Sequence, residues 1–126
     1  MDTTKQYLLM CEKAKEIQVL RPTESNGDWC NWMGDTKCIN VGLVILHKNI
    51  IWLPRQDQLQ EMIKLKSLRQ SYINFDFFLG LDRADHRDVM SRYGLNTMEQ
   101  LWLAFVMKEK CGKVWDNNNW IKYDMH

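Results

Sequence analysis

Residues 97–112 read TMEQLWLAFVMKEKCG and carry all the marks of a buried helix. Thr97 and Gln100 form a capping box, because the threonine hydroxyl can accept an amide hydrogen bond while the glutamine side chain reaches back. Residues 101–107 are apolar all round, so this helix should be buried on most sides. Lysines near its end complement the negative end of the helix dipole, and Gly112 stands where glycine commonly caps a helix. The sequence therefore predicts a central apolar helix.

Shorter elements are predicted around this helix from hydrophobic periodicity and turn residues. Strands are predicted over residues 28–33, 38–47 and 50–53, the last two as a hairpin, and a final hairpin with an Asn-rich turn over residues 114–121. Helices are predicted over residues 3–18, 55–69 and 82–93. Residues 72–81 alternate in the manner of a strand, which favours a strand, but a helix that follows the previous one stays open.

These elements predict an α+β fold, in which a small antiparallel sheet with hairpins packs against the buried central helix and flanking helices. The length of 126 residues and the lack of a linker or repeat predict a single domain over residues 1–126. Lys and Arg number 17 against 16 for Asp and Glu, so no overall field draws the protein to nucleic acid or to an anionic membrane. No secretory signal and no membrane-spanning apolar run is present. With its four cysteines interpreted as reduced thiols, we expect a cytoplasmic protein.

Motifs of common enzyme classes are missing from the sequence. It contains no nucleophile elbow, Gly-rich phosphate loop, H-E-x-x-H or dinucleotide fingerprint, so we assign no catalytic residue and no cofactor. Cys30 and Cys38 could face each other across a hairpin with His47 further along, but no C-x-x-C pair exists and we assign no metal. A further alternative is a metal-assisted enzyme, since one cluster could hold a divalent cation or serve acid–base chemistry. Ion pairs on a solvated helix face explain the same cluster more simply. Its residues are Asp82, Asp85, His86 and Asp88.

Tryptophan is unusually frequent, with six residues in the chain. Trp102 belongs to the buried helix, and Trp52 ends a strand just before Pro54, where it could lie in the core or at its rim. The other four lie in short strands or at turns, where a large ring either anchors a small core or forms part of a partner-binding surface. Both interpretations stay open for Trp29, Trp32, Trp115 and Trp120.

Two segments of the chain resemble a known group of proteins. They are WLPRQDQLQEMI over residues 52–63 and MEQLWLAFVMKEK over residues 98–110, the latter followed by GKVW at residues 112–115. Together they resemble short uncharacterised proteins encoded by phages and prophages of Firmicutes, and the resemblance spans about half of the chain. The resemblance implies a small accessory or host-takeover protein that acts by binding in the host cytoplasm. Many of these proteins carry a tyrosine in place of Cys111 and a Gly-containing turn in place of residues 117–119, and both departures weaken a redox role for Cys111.

The sequence favours a non-enzymatic protein that binds a protein partner, alone or as a homo-oligomer. The strand over residues 50–53 leads directly into the helix predicted over residues 55–69, and the amides at the start of that helix could bind an anion or a carboxylate of a partner. Asp57 in the first turn satisfies these amides more simply. The candidate binding residues are Trp29, Trp32, Trp52, Arg55, Asp57, Trp115 and Trp120. The alternative is a single-stranded nucleic-acid-binding module, in which aromatic rings stack on bases beside a basic strip. That strip consists of Lys64, Lys66 and Arg69.

Overall fold

The computed structural model describes residues 2–20, 28–32, 35–39, 50–63, 68–79 and 94–122. They belong to two compact units, Met1–Arg55 and Gln56–His126. Each unit combines helices with antiparallel strands, which confirms the α+β fold class. The single domain expected from the length of the chain stays a prediction.

The helices and strands are short and are numbered here in chain order. The first unit contains α1 (Lys5–Lys13), α2 (Lys15–Gln18), β1 (Asp28–Trp32), β2 (Asp35–Ile39) and β3 (Ile51–Leu53). The second unit contains α3 (Gln56–Met62), α4 (Leu68–Leu79), α5 (Met98–Cys111), β4 (Lys113–Trp115) and β5 (Trp120–Lys122).

The single helix predicted over residues 3–18 is divided at Ala14, which corrects the prediction. Ala14 leaves the helical region at φ −84° and ψ 70°, and its amide is shared between two carbonyl groups of the preceding turn. Because alanine favours a helix, the sequence gives no sign of this break. The consequence of the break lies in the tertiary structure, because Gln18 at the end of α2 forms a hydrogen bond to β3. The buried side chains of the two helices recur at helical spacing, at Tyr7, Cys11, Ala14 and Ile17.

The strands of the first unit form an antiparallel sheet in the order β2-β1-β3. β1 confirms the strand predicted from Asp28 onward. The second strand begins at Asp35 rather than at Cys38, because Trp32 pairs directly with Asp35 across a very short connection. β3 pairs with β1, and the backbone of Trp52 on its other edge bonds to Gln18. The hairpin predicted between residues 38–47 and 50–53 is therefore wrong, because β1 takes the place of its partner strand.

Side chains from α1 and α2 close the outer edge of β3. The Gln18 side-chain amide pairs with the backbone of Trp52: Nε2 donates to the carbonyl oxygen and Oε1 accepts from the amide, both at 2.8 Å. The Tyr7 hydroxyl donates to the carbonyl oxygen of Pro54 at 2.6 Å, and a proline has no amide proton to satisfy. Because exposed strand edges are templates for further pairing, these contacts protect the sheet.

The buried helix predicted from the sequence is present as α5, with the predicted ends. The Thr97 hydroxyl accepts from the Gln100 amide at 3.2 Å, and the Gln100 side chain accepts from the Asn96 amide at 2.9 Å. The predicted threonine cap is therefore confirmed, and Gln100 reaches back as expected, but to the residue before the cap rather than to Thr97 itself. Every residue from Gln100 to Met107 is buried. Gly112 ends the helix at φ 65°, a conformation that glycine adopts without strain.

Residues 68–79 form the helix α4, so the strand favoured for residues 72–81 is wrong. Phe75 and Phe78 are both buried, and residues three apart share a face only in a helix. Phe75 stacks on Trp102 of α5, with ring centroids 4.0 Å apart and planes at 4°. Packing of these rings therefore selects the helical spacing over the alternating pattern.

The helix predicted over residues 55–69 is shorter than expected, because α3 ends at Met62. The Lys110 ammonium of α5 donates to the Met62 carbonyl oxygen at 3.1 Å. This bond satisfies one of the carbonyl groups that a helix leaves open at its end. Residues 64–67 and the helix predicted over residues 82–93 lie outside the described part of the chain.

Gly94 and Gly112 have the same backbone conformation but different surroundings, so a comparison of their alanine variants measures the packing near the last hairpin. Gly94 has φ 67° and Gly112 has φ 65°, so alanine is strained at either position by roughly 1–2 kcal/mol. A Cβ at Gly112 would meet nothing within 4 Å, but a Cβ at Gly94 would lie 2.9 Å from Asn117 Oδ1. Because Asn117 is exposed and its side chain can turn aside, we expect Gly94→Ala to lower the free energy of unfolding by only about 0.5 kcal/mol more than Gly112→Ala.

Urea denaturation followed by tryptophan fluorescence measures both losses. Asn117→Gly suits the positive φ of 82° at that position and removes the contact with residue 94. The double variant Gly94→Ala/Asn117→Gly should therefore lose no more stability than Gly112→Ala. Equal losses for the two single alanine variants would contradict this description of the contact.

Candidate functional site

The hairpin of β4 and β5 is the candidate site, because it carries two of the candidate tryptophans. Its strands pair antiparallel with Trp115 opposite Trp120, which confirms the predicted final hairpin. Asp116 holds the turn: its Oδ1 accepts from the amides of Asn118 at 2.9 Å and Asn119 at 2.6 Å. Its own amide donates to the Asn119 carbonyl oxygen at 3.0 Å. The turn is thus fixed by local hydrogen bonds.

The two facing tryptophans differ in exposure. Their ring centroids lie 5.1 Å apart with the planes at 54°. Trp115 is only 1% exposed, whereas Trp120 is half-buried. Trp115 therefore anchors the hairpin in the core of its unit, and Trp120 presents part of its ring to solvent. A surface role does not fit the burial of Trp115.

The other hairpin side chains lie in two rows, since successive residues of a strand point to opposite faces. Lys113 and Lys122 pair across the hairpin, in the same row as the two tryptophans. Val114 and Ile121 form the other row, in which Ile121 is 46% exposed. Sequence reasoning missed Ile121, although the strand alternation around it places it on the face opposite to the tryptophans.

The other candidate tryptophans lie in the sheet of the first unit. Trp52 is 2% exposed, so it is a core residue and not a rim residue. Trp29 is half-buried, and the side chain of Trp32 lies outside the described part of the structure. In the second unit, Trp102 is buried as predicted. Among the described side chains, Trp29 and Trp120 are therefore the candidate tryptophans that are partly exposed to solvent.

At the junction before α3, Asp57 lies in the first turn of the helix, as expected if its carboxylate satisfies the amides there. Arg55 is half-buried, and Asp57 is exposed in the first turn of the helix. A carboxylate at this position interacts favourably with the positive end of the helix dipole. The helix dipole thus explains Asp57 without any ligand.

Neither the cysteines nor the acidic residues of the described ranges form a metal site. Cys30 pairs with Lys37 rather than with Cys38, so the facing pair considered for zinc is wrong. Among the described residues no group of three His, Cys, Asp or Glu side chains comes together. In the same ranges, no helix has the length and apolar character needed to cross a bilayer. Other residues considered above lie outside the described part: His47, Lys64, Lys66, Asp82, Asp85, His86, Asp88 and the Arg69 side chain.

Cys11 is a fully buried thiol on α1. Burial raises the pKa of Cys11 well above its ordinary value, a hydrogen bond with Tyr7 lowers it, and the nearby Asp2 carboxylate raises it further. Asp2 itself accepts hydrogen bonds from the amide and the hydroxyl of Thr4 at 2.8 and 2.7 Å. Because the thiolate is the nucleophilic form, these surroundings make Cys11 a core residue and not a reactive one.

Replacing Cys11 by alanine should change how stability depends on pH. An unfolded thiol loses its proton above about pH 8.5, while the folded Cys11 keeps its proton because its pKa is raised. Below about pH 8.5 the thiol is protonated in both states, so Cys11 does not make the free energy of unfolding depend on pH. Above that pH the unfolded state gains stability by losing the proton, so the free energy of unfolding falls as the pH rises toward the folded pKa. Urea unfolding at neutral and at alkaline pH measures this fall. The free energy of unfolding should decrease less between the two pH values in Cys11→Ala than in the wild type. The half-buried Cys111→Ala is the control, and an unchanged pH dependence in Cys11→Ala would contradict the assignment.

The facing tryptophans should also respond differently to substitution. Trp120→Phe is expected to lower the fraction of fluorescence that acrylamide quenches, because the Trp120 ring is half-exposed, whereas Trp115→Phe should not lower it. Trp115→Ala should cost about 3–5 kcal/mol of unfolding free energy, since it empties a buried site, and Trp120→Ala should cost less. The reverse order in either measurement would mean that the hairpin packs through Trp120 instead.

No family model, curated protein or solved structure matches this chain. The resemblance to phage and prophage proteins therefore stays an expectation, and a function has to be inferred from the geometry of the hairpin itself.

Proposed function

We propose that this chain is a non-enzymatic protein that binds a protein partner through its C-terminal hairpin. The observation that carries the proposal is the adjacent pair Trp120 and Ile121 on β5, the first half-buried and the second 46% exposed. Tryptophan is enriched among the few residues that dominate binding energy at protein interfaces. Ile121 points to the opposite face of the same short strand, so a partner that contacts both side chains has to enclose β5 from both faces.

The rigidity of the hairpin supports the same function. Trp115 is seated in the core of its unit, and the Asp116 carboxylate holds the turn through two amides. A surface that is already fixed loses less conformational freedom on association, and more of the contact energy then appears as affinity. The hairpin is thus a preorganised element with apolar side chains toward solvent.

The resemblance stated above supports a setting for this activity. Proteins encoded by phages and prophages of Firmicutes would act in the host cytoplasm, and a small accessory or host-takeover protein without enzyme motifs would act by binding. We propose this setting for the chain together with the partner-binding function.

A second candidate function, binding of single-stranded nucleic acid, is favoured by one arrangement in the hairpin. Lys113 and Lys122 are direct cross-strand partners on the side that carries Trp120. A phosphate group could bind to these two ammonium groups while a base stacks on the Trp120 ring. The balanced charge of the whole chain makes this the weaker candidate.

The experiment compares hairpin variants against a partner isolated from a Firmicute lysate and then purified. Trp120→Ala and Ile121→Ser should each weaken its affinity about tenfold or more in calorimetric titration, or about 1.4 kcal/mol. Ile73→Ser is the matched control, because Ile73 is 50% exposed on α4 and lies outside the hairpin.

Two outcomes would redirect the proposal. Unchanged affinity in both hairpin variants would exclude the hairpin as the contact surface. Binding of a thymidine oligonucleotide that weakens steeply with salt and is lost in Lys122→Gln would instead support the nucleic-acid alternative.

A further inference from the structure

The open end of the C-terminal hairpin carries two lysines on the same face as Trp120. Lys113 begins β4 and is the cross-strand partner of Lys122, which ends β5. Lys122 is exposed and Lys113 is half-buried. Residues paired in this way have Cβ atoms about 4.5–5.5 Å apart, and each lysine ends in a long flexible chain. Both ammonium groups can therefore reach one and the same anionic group.

The carboxylate of the hairpin itself lies at the opposite end. Asp116 is the single acidic residue over residues 113–122, and its Oδ1 accepts from the turn amides of Asn118 and Asn119. Trp120 lies between this turn and Lys122 along β5. The face of Trp120 therefore combines a half-buried aromatic ring with a positively charged end.

We propose that the partner covers this face with an acidic segment, in which a carboxylate binds to Lys113 and Lys122 and a neighbouring apolar side chain packs on the Trp120 ring. The inference rests on the proposed partner-binding function and adds the chemistry of the partner. An ammonium group only donates hydrogen bonds and a carboxylate only accepts them, so the two sides are complementary. Complementary charges across an interface determine which partner docks and in which register.

The hairpin suits a carboxylate better than a nucleic acid strand. A bound strand presents a row of phosphates, and its affinity grows with the number of phosphates that are neutralised. This face offers two lysines, and the whole chain has a net charge of +1. Ile121 supports the same choice, because an exposed aliphatic side chain on the other face of β5 suits a protein surface and not the stacking of a base.

A displayed library of random linear peptides, selected on the immobilised full chain, is the probe. The enriched peptides should contain aspartate or glutamate beside an aliphatic or aromatic residue. Calorimetric titration then compares an enriched peptide with its analogue that has asparagine or glutamine in place of the acid. The analogue should bind the wild type about fivefold more weakly, as expected for exposed ion pairs. The variant Lys113→Gln/Lys122→Gln should bind the two peptides equally.

Two further variants separate the charge effect from the apolar contact. Lys5→Gln/Lys15→Gln removes the same charge from two exposed positions of the first unit, and it should bind both peptides as the wild type does. Trp120→Ala should weaken both peptides by the same factor, because the ring contacts the apolar side chain that they share. Added salt should weaken the acidic peptide and leave the analogue unchanged, since it screens exposed charges.

Three results would overturn the proposal: no enriched peptide, enriched peptides without a carboxylate, or equal binding of a peptide and its amide analogue by the wild type. In the last case, a loss of affinity in Trp120→Ala would show that the acidic partner is wrong while binding through the hairpin stands. An acidic peptide that binds Trp120→Ala as tightly as the wild type would count against the hairpin contact itself. Displacement of the peptide by a thymidine oligonucleotide that binds more tightly would assign the two lysines to nucleic acid instead.

Discussion

The second unit depends on one constraint, which is that α5 must be covered on every side. All residues from Gln100 to Met107 are buried, and a helix without a polar face needs neighbours in each direction. α3, α4 and β4 all contact it. The stacking of Phe75 on Trp102 and the bond from Lys110 to the end of α3 both bring a neighbouring element onto this helix.

The parts of the fold that could be predicted from the sequence are those decided by local chemistry. The threonine cap at Thr97, the glycine cap at Gly112 and the final hairpin involve residues close together in the chain, and all three are confirmed. The strand favoured around Phe75 is wrong because alternation in sequence competes with packing against α5, which only the tertiary structure decides. The break at Ala14 is likewise invisible in the sequence, since its effect is a bond from Gln18 to β3.

The candidate site could be predicted only in part, for a related reason. Trp115 and Trp120 have similar polar neighbours in the sequence, and they are direct partners in the hairpin. Both rings lie on the same face of the hairpin, so the ring that enters the core is the one on the strand nearer to the rest of the unit, here β4 against α5, and no local pattern records it. Ile121 was missed because an isolated exposed aliphatic residue is ordinary in a sequence, and it becomes noticeable only beside a half-buried tryptophan.

The contact between Gly94 and Asn117 joins two turns that are far apart in the sequence. The space above residue 94 is taken by the Asn117 side chain, so what one position accepts during evolution depends on the other. A chain with glycine in place of Asn117 would free residue 94 from this steric limit and leave only its backbone conformation to select the side chain. In a lineage of such chains the two positions should change together, and their covariation would record the closeness of the hairpin turn and residue 94.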